Sequence, residues 1–184
     1  AFEQLFLPFG GEVAAKVRRH HEVNGGMSRF EKLPLYLALA GVEFDHKLVE
    51  SYSEKFSTLV MQKVIQSEWV AGVQDFLSRY HRDRKFFLVT ATPQKEIEII
   101  TRSLNIAHFF HALVGAPLNK REAISFLLDE FDMSFTQAVM VGDTLTDYQA
   151  AVANKVSFVL RKTPLNRALQ AVIGCPMIED FLDE

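Results

Sequence analysis

Two hydrophobic periods run along this chain, and they change over near residue 68. Before that point the apolar positions recur at helical spacing. The stretch GEVAAKVRRHHEVN (residues 11–24) has helix-forming composition and stops at Gly25-Gly26. Ser28 followed by Glu31 fits a capping box for a second helix, which Pro34 either interrupts or opens and Gly41 ends. Asp45 is placed to cap a long third helix, along which Tyr52, Phe56, Leu59, Val60 and Val64 keep helical spacing. Nothing in residues 1–67 reads as a strand.

From Glu68 onward short apolar runs alternate with amphipathic ones. VAGVQDFLSRYH predicts a helix, KFFLVTA a buried strand, PQKEIEIITRSL a helix, ALVGA a strand and KREAISFLLDEF a helix. AVMVG predicts a strand, LTDYQAAVA a helix and VSFVL a strand, with a helical remainder. Such alternation predicts an α/β fold, a doubly wound parallel sheet with helices on both faces, over residues 68–184. Residues 1–67 form a separate helical domain in front of it. Sheets of this kind bind ligands at the C-terminal ends of their strands. The loops after Val89, Gly115 and Val141 are therefore where chemistry belongs.

Composition narrows the function classes. Hydrophobic residues make up 48% of the 184 and charged residues 23%, as in ordinary globular proteins, and the net charge is −3. No basic field exists to recruit nucleic acid or an anionic membrane. No apolar run is long enough to span a bilayer, and no signal-peptide pattern opens the chain. The one cysteine, Cys175, permits no internal disulfide and suits a reducing cytoplasm; its setting, IGCPM, reads as packing. Neither G-x-x-x-x-G-K nor G-x-G-x-x-G occurs. The histidines, His20-His21 and His108/His111 among them, lack the partners of a zinc set. The sequence does not fix an oligomeric state.

The three loops carry distinct chemistry. VTATPQ offers the hydroxyls of Thr90 and Thr92, and Thr92-Pro93 fits an N-cap followed by proline at N1. The helix start beyond would present N–H groups to an anion, though a strand threonine and a capping threonine explain the same residues. GAPLNKREAI sets Lys120 at a helix start, against the helix dipole. AVMVGDTLTDYQAA puts Asp143 at a strand tip and Asp147 in the first turn that follows, either a carboxylate pair for Mg²⁺ or a turn aspartate beside a dipole-stabilising one. Together the loops bring a hydroxyl, a cation and two carboxylates to one sheet edge, an inventory that suits phosphoryl transfer.

In these motifs the chain resembles the haloacid dehalogenase superfamily, specifically its Mg²⁺-dependent phosphatases with an α-helical cap. FFLVTATP resembles the family's second motif, Lys120 its third and GDTLTD its G-D-x-x-x-D fourth. The resemblance covers residue 68 to the C-terminus, and residues 1–67 are similar to the helical cap. By that resemblance Thr90 bonds the transferring phosphoryl group, with Ala91 and Thr92 beside the substrate. Lys120 neutralises it, and Asp143 with Asp147 holds Mg²⁺. Within GGMSRFEKL, which resembles a cap segment that touches substrate in sugar-phosphate enzymes, Arg29 becomes a specificity residue or else a solvated one.

The first motif of that family, D-x-D-G-[TV], is missing: no two aspartates of this chain are spaced by two. It would supply the nucleophile and end the central strand, between FFLVTA and AVMVG. Without it those strands would stand roughly 9–10 Å apart with unpaired backbone, in a sheet not expected to fold well alone. The chain opens on Ala1, and the expectation is that D-x-D-G lies just upstream. The resemblance implies hydrolysis of a small phosphorylated metabolite, a sugar phosphate among the candidates, through an aspartyl-phosphate. A β-phosphoglucomutase-like mutase and a degenerate, non-catalytic binding module are the rivals. A receiver-like signalling module fits the helical block and the late G-D-x-x-x-D less well.

Overall fold

The polypeptide divides into a helical unit, Ala1–Ser67, and an α/β unit that begins at Glu68. The computed structural model describes residues 1–182. Four helices make the first unit: α1 (Phe2–Phe6), α2 (Gly11–Val23), α3 (Arg29–Leu39) and α4 (His46–Ile65). Helix α1 lies in a segment whose pattern reads as helical without placing a helix of its own there. The Ser28–Glu31 capping box forms, and the Asp45 carboxylate accepts the Leu48 N–H at 2.9 Å. Helix α3 runs straight through Pro34. Its capping box and the burial of Leu33, Tyr36 and Leu37 on one face offset the hydrogen bond that proline removes. Those side chains pack with Phe2, Phe6, Val17 and Phe56 into one core.

Basic side chains enter this core. Lys32 is 1% exposed, and its Nζ lies 3.1 Å from His21 Nδ1. Burial, and then the neighbouring Lys32 charge, hold His21 down to a pKa of about 4. Below the ordinary histidine range the unfolded imidazole takes up a proton that the folded one refuses. Stability is therefore full above about pH 6.5 and falls as pH drops toward 4. Circular dichroism melts should show a lower Tm at pH 5 than at pH 7.5. His21→Gln, which keeps an acceptor for Lys32 but cannot titrate, should flatten that difference; an unchanged pH dependence would refute the assignment.

The second unit alternates as its pattern predicts. In order it holds α5 (Val73–Tyr80), β1 (Phe86–Pro93), α6 (Gln94–Ser103), β2 (Phe110–Ala116), α7 (Lys120–Glu130), β3 (Val139–Gly142) and α8 (Leu145–Ala153). Strand β4 (Ser157–Arg161), a short α9 (Arg167–Gln170) and β5 (Met177–Ile178) follow. Strand β5 departs from the helical remainder expected of the sequence. The backbone of Leu160 and Lys162 recruits it, donating to Pro176 C=O at 2.9 Å and Ile178 C=O at 2.7 Å.

All pairing is parallel, and it forms two sheets: β1 with β2, and β3–β4–β5. Among the described residues β1 pairs only with β2, and β3 pairs with β4 alone. No residue of β1 is fully buried, and Val139 and Val141 of β3 are 60% and 44% exposed. Interior strands of a parallel sheet are ordinarily buried on both faces, so these two lack a neighbour. One helix touches both sheets. On α7, Ala123 and Leu127 pack with Val114, Phe87 and Val89, while Ile124 packs with Ala150, Val156 and Met140.

Candidate active site

At the end of β1 the register with β2 slips between Val89 and Pro93, so Thr90, Ala91 and Thr92 leave the ladder. Thr90 Oγ1 accepts the Thr92 N–H at 3.1 Å and donates to Thr92 Oγ1 at 3.2 Å. Thr92 does not cap α6: pairing of Pro93 with Ala116 carries the strand on, and Pro93 itself becomes the N-cap, without a side-chain bond. Gln94 fixes this loop to β2, accepting the Gly115 N–H at 2.7 Å and donating to Leu113 C=O at 3.0 Å. Gly115 has to be glycine, because a Cβ there would stand 2.5 Å from the Thr92 carbonyl oxygen.

Beyond β2, Asn119 and Glu122 close a capping box that starts α7 at Lys120. The lysine reaches across to the third loop, where Nζ lies 2.5 Å from Asp147 Oδ1 and 3.5 Å from Thr144 Oγ1. Both partners are mostly enclosed, with side chains 13% and 8% exposed. Thr144 caps α8 in a box whose third residue is Asp147 itself. Asp147 Oδ2 accepts from the Thr144 N–H at 3.0 Å and its hydroxyl at 2.5 Å. That back-folded first turn leaves room for only a hydrogen at Gly142, where a Cβ would sit 2.5 Å from Asp147 Cβ.

Asp143 lies exposed at the tip of β3. Its backbone is held by a residue that the motifs did not mark. Asn166, 8% exposed, donates from Nδ2 to the carbonyls of Asp143 (2.8 Å) and Arg161 (2.9 Å). The spacing Thr163-x-x-Asn166, which closes a capping box, was the available signal. Arg29 belongs to the helical unit and is buried there, not solvated: its Nη1 donates to Ser57 Oγ at 2.5 Å, and the guanidinium lies over the Phe56 ring.

A sequence profile for haloacid dehalogenase-like hydrolases matches residues 29–160, well over half of the chain. The chain belongs to the haloacid dehalogenase-like hydrolases. No curated protein matches it in sequence. Its fold is that of CbbY from Rhodobacter sphaeroides, solved with xylulose-(1,5)-bisphosphate, at 14% identity and TM-score 0.75, covering 98% of this chain and 89% of that one. A predicted phosphoglycolate phosphatase from Haemophilus somnus (17% identity, TM-score 0.68, 97% and 88% covered) is similar. So is a β-phosphoglucomutase candidate from Thermotoga maritima (19% identity, TM-score 0.61, 88% and 77% covered). This dehalogenase-like α/β fold sets β1, β2 and β3 with their C-terminal loops as described.

Within this hydrolase, no cluster of three or more His, Cys, Asp or Glu side chains suited to a metal occurs among the described residues. A donor set of at most two carboxylates fits Mg²⁺, which keeps several waters and takes phosphate oxygens, better than it fits a protein-caged ion. The exposed Asp143 carboxylate is open to such a cation, whereas both oxygens of Asp147 already accept protein donors.

Two substitutions test how the loops are held. Lys120→Met strands a mostly buried Asp147 carboxylate, and urea denaturation should register a loss of about 3 kcal/mol. That is the low end for a buried pair, because Thr144 still donates twice. Asn166→Ala leaves two carbonyls without their donor and should cost about 1–3 kcal/mol in the same measurement. Losses under about 0.5 kcal/mol would place either side chain outside the structural framework of the site.

Proposed function

We propose that this hydrolase is a phosphatase of a small phosphorylated metabolite, a sugar phosphate among the candidates, working with Mg²⁺ in the cytoplasm. The observation that carries the reading is the Lys120–Asp147 ion pair at the same strand ends as the exposed Asp143. Support also comes from the likeness to CbbY, whose solved complex holds a sugar bisphosphate.

In this reading Asp143 binds the cation directly, and Asp147 stands behind it, fixing the Lys120 ammonium by a short bond. The ammonium would offset charge on the phosphoryl oxygens, and Thr90, with Ala91 and Thr92, would donate to them from the loop that leaves the β1 ladder. The cation, when bound, would supply the remaining neutralisation of phosphate charge. The nucleophile would be an aspartate outside the 184 residues, on a strand beside β1. Its oxygen would bond to phosphorus as the bond to the departing alcohol breaks, a neighbouring acid giving that alcohol its proton. Water would then release phosphate from the aspartyl-phosphate. The helical unit would act as a cap.

The test is a phosphate-release assay on a panel of phosphometabolites, using the full-length gene product. Turnover should vanish with chelator and return with Mg²⁺, and Asp143→Asn should lower kcat/KM by about 10²-fold or more. Conversion of a phosphosugar without phosphate release would favour a mutase. Absence of any turnover would favour a non-catalytic module.

A further inference from the structure

Strand β3 stops pairing with β4 at Gly142, opposite Leu160. The next residues along the two strands are Asp143 and Arg161, and there a side chain takes over from the ladder. Asn166 sends one N–H to the Asp143 carbonyl at 2.8 Å and the other to the Arg161 carbonyl at 2.9 Å. Its Oδ1 accepts the Thr163 N–H at 2.9 Å and the Gln170 side-chain amide at 2.6 Å. A side-chain amide has two donors and two acceptor sites, and all four are used here. The same partners fix which way the amide faces, because a flipped one would set Oδ1 against two carbonyls. The Asp143 carboxylate has no such support. Among the described residues no hydrogen bond or ion pair holds it, whereas both oxygens of Asp147 are taken. Its position therefore follows from the Asp143 backbone, which Asn166 grips beyond the end of the ladder.

We propose that Asn166 is a positioning residue for the cation site: by clamping the ends of β3 and β4 it presets the Asp143 carboxylate, and Gln170 acts through it by locking its amide. This role rests on the reading of Asp143 as the ligand of Mg²⁺. A carboxylate on a loose loop loses conformational freedom when it takes an ion, and a clamped backbone has given up part of that freedom beforehand. An aspartate of the same size at position 166 would have no donor to give the two carbonyls. The clamp is neutral, so it leaves the negative charge of the loop to Asp143. A second asparagine makes bonds of the same kind at the far end of α8. Asn154 Nδ2 donates to the carbonyls of Arg121 at 3.0 Å and Ala150 at 2.9 Å, and does not touch Asp143.

The experiment uses the full-length gene product and reads Mg²⁺ binding itself, by calorimetry and by the rise in Tm that Mg²⁺ produces. Asp143→Asn should abolish that binding. Asn166→Ala should weaken it about tenfold or more, as losses behind a metal ligand ordinarily do. Gln170→Ala leaves both carbonyl contacts in place and should weaken it about threefold, which keeps the test readable if Asn166→Ala does not fold. Asn154→Ala should lower the Tm of the apoprotein yet keep Mg²⁺ affinity within about twofold, a split that a merely structural asparagine would not produce. Unchanged affinity in Asn166→Ala, or in Gln170→Ala should the first not fold, would overturn the role. So would an equal loss in Asn154→Ala, or no Mg²⁺ binding in the unaltered protein. Weakened Mg²⁺ binding in a protein that releases no phosphate leaves the positioning role standing and counts against the phosphatase reading. Phosphate release with an Mg²⁺ affinity indifferent to Asn166 does the reverse, so the two ideas fail separately.

Discussion

Helix α7 holds together two sheets that share no hydrogen bond among the described residues. It follows β2, so it belongs by connection to the first sheet, and Ala123 and Leu127 bury against that side. One position along, Ile124 faces Ala150 of α8, Val156 and Met140 of β3. At its start Lys120 adds a charged contact to the same partner helix through Asp147. A helix bridging in this way uses a wider apolar stripe than a helix lying on one sheet, and KREAISFLLDEF has it: Ala123, Ile124, Leu127 and Leu128 run along adjoining faces. The relative placement of the loops at the ends of β1, β2 and β3 therefore rests on packing against α7 and on the Lys120–Asp147 ion pair, not on a continuous ladder.

The loops after β2, β3 and β4 are each closed by a capping box: Asn119 with Glu122, Thr144 with Asp147, and Thr163 with Asn166. In the second and third the capping partner has an additional contact: Asp147 takes the lysine, and Asn166 holds the Asp143 carbonyl. Hydrogen bonds needed to start a helix are thereby reused to orient the loop before it. Glycine at 142 and 115 follows from the same compactness, since a Cβ at either would meet a neighbouring atom at 2.5 Å.

Much of this was legible in the sequence, and the misses have physical causes. Elements with strong periods and clear caps emerged close to their observed bounds, α8 and its strand β3 most plainly. Strand β5 escaped because two residues carry no period; only the β4 edge beside them makes Met177 and Ile178 a strand. Thr92-Pro93 has the local signature of a helix start, but parallel pairing of Pro93 outweighed it. Residue types at the site were readable, whereas the partnership of Lys120 with Asp147, 27 residues apart, was not. The split of the sheet was foreseeable only through the family's missing first motif. The exposure of Val139 and Val141 makes that gap visible in structural terms.

The charge balance of the site bears on which chemistry it can host. Lys120 and Asp147 neutralise one another, so Asp143 leaves the three loops with a net negative charge. The starts of α6, α7 and α8 each add about half a positive charge, which leaves the locality close to neutral. A phosphate dianion beside a carboxylate nucleophile would then gather three negative charges where the protein offers none to spare. At the short distances of a reacting pair, repulsion of that size in a partly enclosed site far exceeds ordinary binding energies. A divalent cation at the exposed Asp143 would offset two of those three charges without disturbing the ion pair. Under the proposed reaction, a divalent cation would supply positive charge that Lys120, already paired with Asp147, does not leave over.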